Sequence, residues 1–218
     1  VLDQIRGSVT PDCYRVVGTA VDHPFPDAAF LGLRPRHTWL HGNNIGLANA
    51  YLHSLRATPS PDLVEIHSRC HVAAHIKAKR PDLRVALYLH NDPRDMKGSR
   101  TVAERRRLLA SMSAVICVSD YIRACFLDGL ADVGNLADKV ATARNGATRW
   151  LTQPAMKKPM ILLAGRLVPE KGILECAQAM AEVLLDHPDW EVVIAGARRF
   201  EDSAPGSYEG AIARALAP

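Results

Sequence analysis

Arg166 and Lys171 stand five positions apart in Met160 to Gly172, MILLAGRLVPEKG, where an apolar run breaks at Gly165 and a helical pattern starts near Ile173. Two cations at the mouth of a strand-to-helix turn form a clamp for a diphosphate, because the amides at a helix start also favour an anion. The fork of Arg166 suits paired phosphate oxygens, and the ammonium of Lys171 adds a point charge beside it. On spacing alone, an arginine and a lysine beside a glycine turn also read as ordinary surface charges. His90 ends the run RVALYL and opens the polar stretch HNDPRDMKG. Ligands of open α/β sheets sit at the carboxyl ends of strands, which is where both His90 and Arg166 fall. Gly196, at the end of EVVIAG, either lets a nucleotide approach the backbone or serves a simple turn.

Other chemically suggestive residues read as structural. His67, His71 and His75 lie near one another, but no H-E-x-x-H accompanies them, which favours exposed or core histidines over a metal pair. Ser119-Asp120 has no G-x-S-x-G around it, and a helix cap accounts for it. Arg105 to Arg107 form either a solvated helix face or a contact with anionic lipid or a phosphate-bearing acceptor.

The elements that must position these residues alternate. Arg15 to Ala20 reads as the one convincing strand before residue 36, followed by a Pro-containing loop, HPFPDAAF. A helix capped by Asn43 or Asn44 runs to about Arg56; then come a strand at 63–67, a helix at 70–79 and a strand at 84–89. Ser99 or Thr101 with Glu104 opens the next helix as a capping box. A strand at 114–118, a helix from Asp120 to Leu130 and a strand at 139–144 complete the first series. Trp150 to Pro159 breaks the pattern with two prolines and reads as a linker. The second series has a strand at 160–164, a helix at 173–185, a strand at 191–196 and a last helix at 208–216. Such alternation, with strands apolar throughout, predicts parallel sheets with helices on both faces. The boundaries are therefore 1–149 for an N-terminal Rossmann-like domain, 150–159 for the linker and 160–218 for the start of a C-terminal one. Two strands cannot complete a doubly wound sheet, so this part is expected to be incomplete, with an exposed sheet edge.

Composition supports a packed protein and excludes several classes. The 218 residues are 48% hydrophobic, enough for a real core. No apolar run is long enough to span a membrane, no signal peptide opens the chain, and the missing initiator Met suggests a processed or excerpted sequence. Five scattered cysteines without a C-x-x-C fit reduced thiols in the cytoplasm, mostly as small core residues. The net charge of +4 is spread out, giving no case for nucleic acid. No G-x-G-x-x-G follows a strand, which argues against a dinucleotide-binding protein.

Five segments in order, LVEIHSR at 63–69, LYLHNDPRDMKG at 87–98, SAVICVSDYIR at 113–123, VATARNGA at 140–147 and ILLAGRLVPEKG at 161–172, together resemble the family 4 glycosyltransferases. The resemblance covers roughly residues 60–200 and implies retaining sugar transfer by two Rossmann-like domains facing across a cleft, the GT-B fold. The segment HNDPRDMKG is most similar to bacterial members that build cell-surface polysaccharide or lipopolysaccharide. Position by position, Gly165, Arg166 and Lys171 match the donor-diphosphate motif and His90 matches the active-site histidine. Asn91 and Asp92 would shape the acceptor side, and Gly196 the nucleotide side. The implied partners are a nucleotide-sugar donor, which is a substrate, and a glycan or lipid-linked acceptor. No cofactor, no metal and no nucleic acid are implied, and the location is cytoplasmic, with a peripheral contact at the inner membrane face as a further expectation.

Two elements of the family pattern have no counterpart here. The Gly-rich turn after the first N-terminal strand is not found in Val1 to Thr10, and the paired glutamates seven residues apart would fall after Pro218. Both expected domains are thus incomplete, the C-terminal one strongly so. An alternative expectation is a catalytically incomplete fragment or homologue with at most weak nucleoside-diphosphate binding.

Overall fold

In the computed structural model, residues 2–24, 26, 28–130, 134–149, 156–197 and 207–216 are described. Residue contacts divide the chain into two units, Val1–Arg149 and Trp150–Pro218. Residues 150–155 of the expected linker lie outside the described residues.

The first unit is built on a four-stranded parallel sheet, β3 (Val64–His67), β4 (Val85–Leu89), β5 (Ala114–Cys117) and β6 (Val140–Thr142), in the order β3-β4-β5-β6. Before it come α1 (Leu2–Arg6), the parallel pair β1 (Arg15–Thr19) and β2 (Ala29–Leu33), and α2 (Thr38–Ser54). The crossovers are α3 (Cys70–Lys79), α4 (Val102–Ser111) and α5 (Asp120–Leu127). A sheet that grows in one direction through right-handed crossovers gathers its helices on one face. The core agrees: Ile66, Val85, Leu87, Leu89, Val115, Cys117 and Val140 pack with residues of α2 to α5 such as Ala73, Leu108, Leu109 and Phe126. The expected cover of helices on both faces is therefore uneven. The opposite face, carrying Glu65, His67 and Tyr88, is half-buried and is met by α1, whose Gln4 Nε2 donates to Glu65 Oε2 at 3.0 Å.

Local chemistry sets the helix ends. Thr101 Oγ1 accepts from Glu104 N, and Glu104 accepts in return from Thr101 N, completing the expected capping box. The cap of α5 is Ser119, whose Oγ accepts from Ile122 N at 3.2 Å, rather than Asp120; a short hydroxyl just outside the first turn reaches that amide better. The helix expected from Asn43 is part of α2, which is interrupted at Gly42 (φ 74, ψ 168), so only its second segment follows the expected periodicity. α1 and β2 were not expected. β2 begins directly behind the prolines of HPFPDAAF, whose turn chemistry masks it.

The second unit contains the parallel pair β7 (Met160–Ala164) and β8 (Glu191–Ala195), joined through α6 (Ile173–Asp186), and ends in α7 (Tyr208–Ala215). Its small core is Leu167, Ile173, Ala177 and Ile212, with Leu163 and Ile194 packed against it. Leu162 is 59% exposed and Leu185 82%.

Candidate functional site

Strands β3 and β4 both end in histidine or run directly into one. Their register pairs His67 with Tyr88, leaving His90 two positions further along β4 on the same face. The three rings stack: His67 lies 5.0 Å from Tyr88 and 5.2 Å from His90, with interplanar angles of 13° and 23°. His67 Nδ1 and His90 Nε2 are 2.9 Å apart, a hydrogen bond. On its other side, His67 Nε2 lies 3.8 Å from Glu65 Oε2. The backbone of His90 is fixed as well, because its N–H donates to Ser68 Oγ at 3.1 Å. Ser68 holds φ 49, a left-handed conformation uncommon for a residue with a side chain and concentrated at functional turns. Burial, then the neighbouring His67, lowers the His90 pKa, so the ring stays neutral to lower pH than an ordinary histidine. Burial raises the pKa of Tyr88, with Glu65 adding to it.

The polar loop after His90 is internally committed. Asp92 caps the 3-10 turn Pro93–Asp95 by accepting from Arg94 N at 2.9 Å, and its Oδ2 meets Arg94 Nη2 at 2.7 Å. Hydrogen bonding to Arg94 brings the carboxyl down to about 2. Arg94 also reaches Asp128 Oδ2 at 3.2 Å and the Cys125 thiol. Asn91 is exposed and makes no side-chain hydrogen bond among the described residues. Further along, Ser99 Oγ donates to Pro93 O at 2.6 Å. Arg105, read from sequence as part of an exposed or lipid-facing basic cluster, is turned inward and only 3% exposed. Its guanidinium donates to the carbonyls of Phe126, Ser99, Arg100 and Asp128, tying the end of the loop to the end of α5. Arg107 stays exposed.

In the second unit, β7 ends at Ala164 and Gly165 turns the chain outward, with its N–H donating to Ala195 O at 3.0 Å. Arg166 follows, exposed. Pro169–Lys171 form a 3-10 turn, and Gly172 (φ 64) leads into α6, as the sequence places it. Lys171 is also exposed. Among the described residues neither cation makes an ion pair or a side-chain hydrogen bond. One of the first amides of α6 is taken, because Leu174 N–H donates to the Tyr208 hydroxyl at 3.1 Å. Gly196 has a reason inside the fold: a Cβ there would lie 1.8 Å from Gly165 O.

The named residues thus form two groups, one in each unit. His90, Asn91 and Asp92 follow β4, whereas Gly165 and Gly196 meet at the ends of β7 and β8, Arg166 is next in the chain and Lys171 closes the 3-10 turn before α6. Sequence reasoning set His67 aside and passed over Glu65, Ser68 and Tyr208. The signal for the first three was available in two adjacent parallel strands reading VEIHS and ALYLH. Among the described residues no group of three or more His, Cys, Asp or Glu is placed to hold a metal ion. No described helix is long and apolar enough to cross a membrane. All five cysteines are free, with Cys70, Cys117 and Cys125 buried.

This architecture is mixed α/β with parallel sheets, the class to which GT-B glycosyltransferases belong. It is similar to a UDP-forming α,α-trehalose-phosphate synthase from Burkholderia xenovorans, with a TM-score of 0.50 and 17% identity, over 79% of this chain and 46% of that one. A likeness at that identity is one of fold. In sequence, the chain is 28% identical over 174 residues to the Bacillus subtilis (strain 168) protein named "Putative glycosyltransferase YtcC", covering 73% of this chain and 42% of that protein. It is also 24% identical over 162 residues to spore coat protein SA of the same organism, covering 67% of this chain and 43% of that protein. The chain therefore spans well under half the length of these relatives. No protein-family model matches it.

Proposed function

We propose that the chain belongs to a retaining family 4 glycosyltransferase, transferring a hexosyl group from a nucleotide sugar to a glycan or lipid-linked acceptor in bacterial surface-polysaccharide synthesis. The observation that carries this reading is the pair of exposed cations, Arg166 and Lys171, without partners among the described residues at the turn between β7 and α6. Charge grows on the nucleoside diphosphate as its bond to the sugar breaks, so cations held there stabilise the transition state more than the bound donor. His90, at the carboxyl end of β4, takes the sugar and acceptor side in this reading, with Asn91 exposed beside it. Similarity to a protein named as a glycosyltransferase supports the reaction class. The retaining course, the donor and the acceptor come from the resemblance of the five sequence segments.

Because the chain spans 42% and 43% of its relatives, a second reading is nucleoside-diphosphate binding without turnover. Calorimetric titration of the chain with UDP, GDP and ADP, beside assays of donor hydrolysis, separates the two. Binding with hydrolysis supports the first reading and binding alone the second. Failure of all three nucleotides to bind, or binding that Arg166→Ala leaves untouched, overturns the assignment of the clamp.

A further inference from the structure

We infer that Glu65 and His67 are positioning residues that fix which nitrogen of His90 is free to meet a ligand, leaving Nδ1 as an unprotonated acceptor. This deepens the proposed function and rests on His90 facing the reacting groups; the nitrogen assignment itself stands on the His67–His90 hydrogen bond and on the approach of the Glu65 carboxylate to within 3.8 Å of His67 Nε2.

A neutral imidazole has one N–H and one lone pair, and the partner of each nitrogen decides which is which. Glu65 Oε2, already accepting from Gln4 at 3.0 Å, lies 3.8 Å from His67 Nε2. A carboxylate facing a ring nitrogen favours the form with a proton on that nitrogen and disfavours a lone pair there. His67 is therefore the Nε2–H form, and its Nδ1 offers a lone pair. That lone pair sits 2.9 Å from His90 Nε2, so His90 must supply the proton of this hydrogen bond. His90 is then also the Nε2–H form. Its Nδ1 carries the remaining lone pair and has no partner among the described residues.

The rest of the setting holds this order in place. Ring stacking between His67, Tyr88 and His90 holds the planes of both imidazoles, and the Nδ1–Nε2 hydrogen bond between them sets which edges meet. The hydrogen bond from His90 N–H to Ser68 Oγ fixes the backbone from which the ring projects. Ionisable groups that act on the stacked rings include Glu65 and His67 on β3, Tyr88 on β4, and Tyr14 and the chain's amino terminus. A ring offering a lone pair accepts a hydrogen bond from a sugar or acceptor hydroxyl, whereas the opposite form would offer a donor. The relay from Gln4 through Glu65 and His67 thus determines the polarity of the contact His90 makes.

Long-range proton–nitrogen NMR of the ¹⁵N-labelled full chain at neutral pH reads each tautomer directly, with His67→Asn and His90→Asn assigning the signals. The expected result is Nε2–H for both rings. In Glu65→Gln the side-chain amide can donate to His67 Nε2, so His67 and His90 should shift toward the Nδ1–H and Nδ1-protonated forms respectively, giving a mixture in place of a single species. A His90 ring found as Nδ1–H in the unsubstituted chain overturns the inference, and so does a Glu65→Gln chain whose tautomers are unchanged. Because the unsubstituted chain alone decides the first point, a variant that failed to fold would not protect the inference. The readout is of nitrogen rather than of turnover, so it stands or falls separately from sugar transfer.

Discussion

At the end of β4, His90 and Asp92 are already bound to His67 and Arg94, while at the end of β7 the candidate cations are bound to nothing among the described residues. The contrast follows from burial. Half-buried imidazoles and a half-buried carboxylate must find partners inside the protein, because polar groups out of water without hydrogen bonds are destabilising. Exposed Arg166 and Lys171 keep water as their partner until an anion replaces it. The first region is organised in the absence of a ligand; in the proposed reading the second would contribute charge once a ligand is bound.

The largest expected effect comes from loosening the organised region. Arg105→Ala removes a buried guanidinium and strands four carbonyls, and it should destabilise the first unit by about 3 to 5 kcal/mol. Chemical denaturation measures this; a loss under about 1 kcal/mol would mean that the tie between loop and α5 contributes no more than a surface contact. Next, Arg166→Ala or Lys171→Ala should leave the melting temperature unchanged. Turnover should fall by about 2 to 4 kcal/mol of transition-state stabilisation. A rise in KM with kcat intact would place the cations in ground-state binding only. The smallest effect is expected at Asp92→Asn, which keeps a cap but loses the ion pair with Arg94, a change of about 0.2 to 1 kcal/mol. The Asp92 carboxyl is held at about 2, below its unfolded value, so its contribution is complete above the unfolded pKa and is lost as pH falls toward about 2. Melting curves of the two proteins should therefore converge in acid, and parallel curves across that range would contradict the role given to the pair.

How much of this was legible in the sequence depended on how local the cause was. Apolar runs closed by Gly, Pro or polar turns placed β3 to β8 to within a few residues, and Thr101 with Glu104 announced a helix start through contacts three residues apart. The turn at Gly165 and the start of α6 were legible for the same reason. The pairing of His67 with His90 was not, because it depends on the register of two strands and the residues lie 23 positions apart. Arg105 was misread because three consecutive arginines look like a solvated face, and only the rotation of α4 against the core turns one of them inward. β2 was hidden by its neighbours Pro24 and Pro26 and by Gly32 within it, which weaken its strand signal.

The contact between Gly196 and Gly165 bears on what substitution can reach. With Gly165 O 1.8 Å from where a Cβ would stand, even alanine at position 196 forces the turn carrying Arg166 to move. The permitted alphabet there is one letter long. Variation can alter the charges at residues 166 and 171 directly, but it cannot shift the base from which Arg166 projects by altering position 196 without rebuilding the turn.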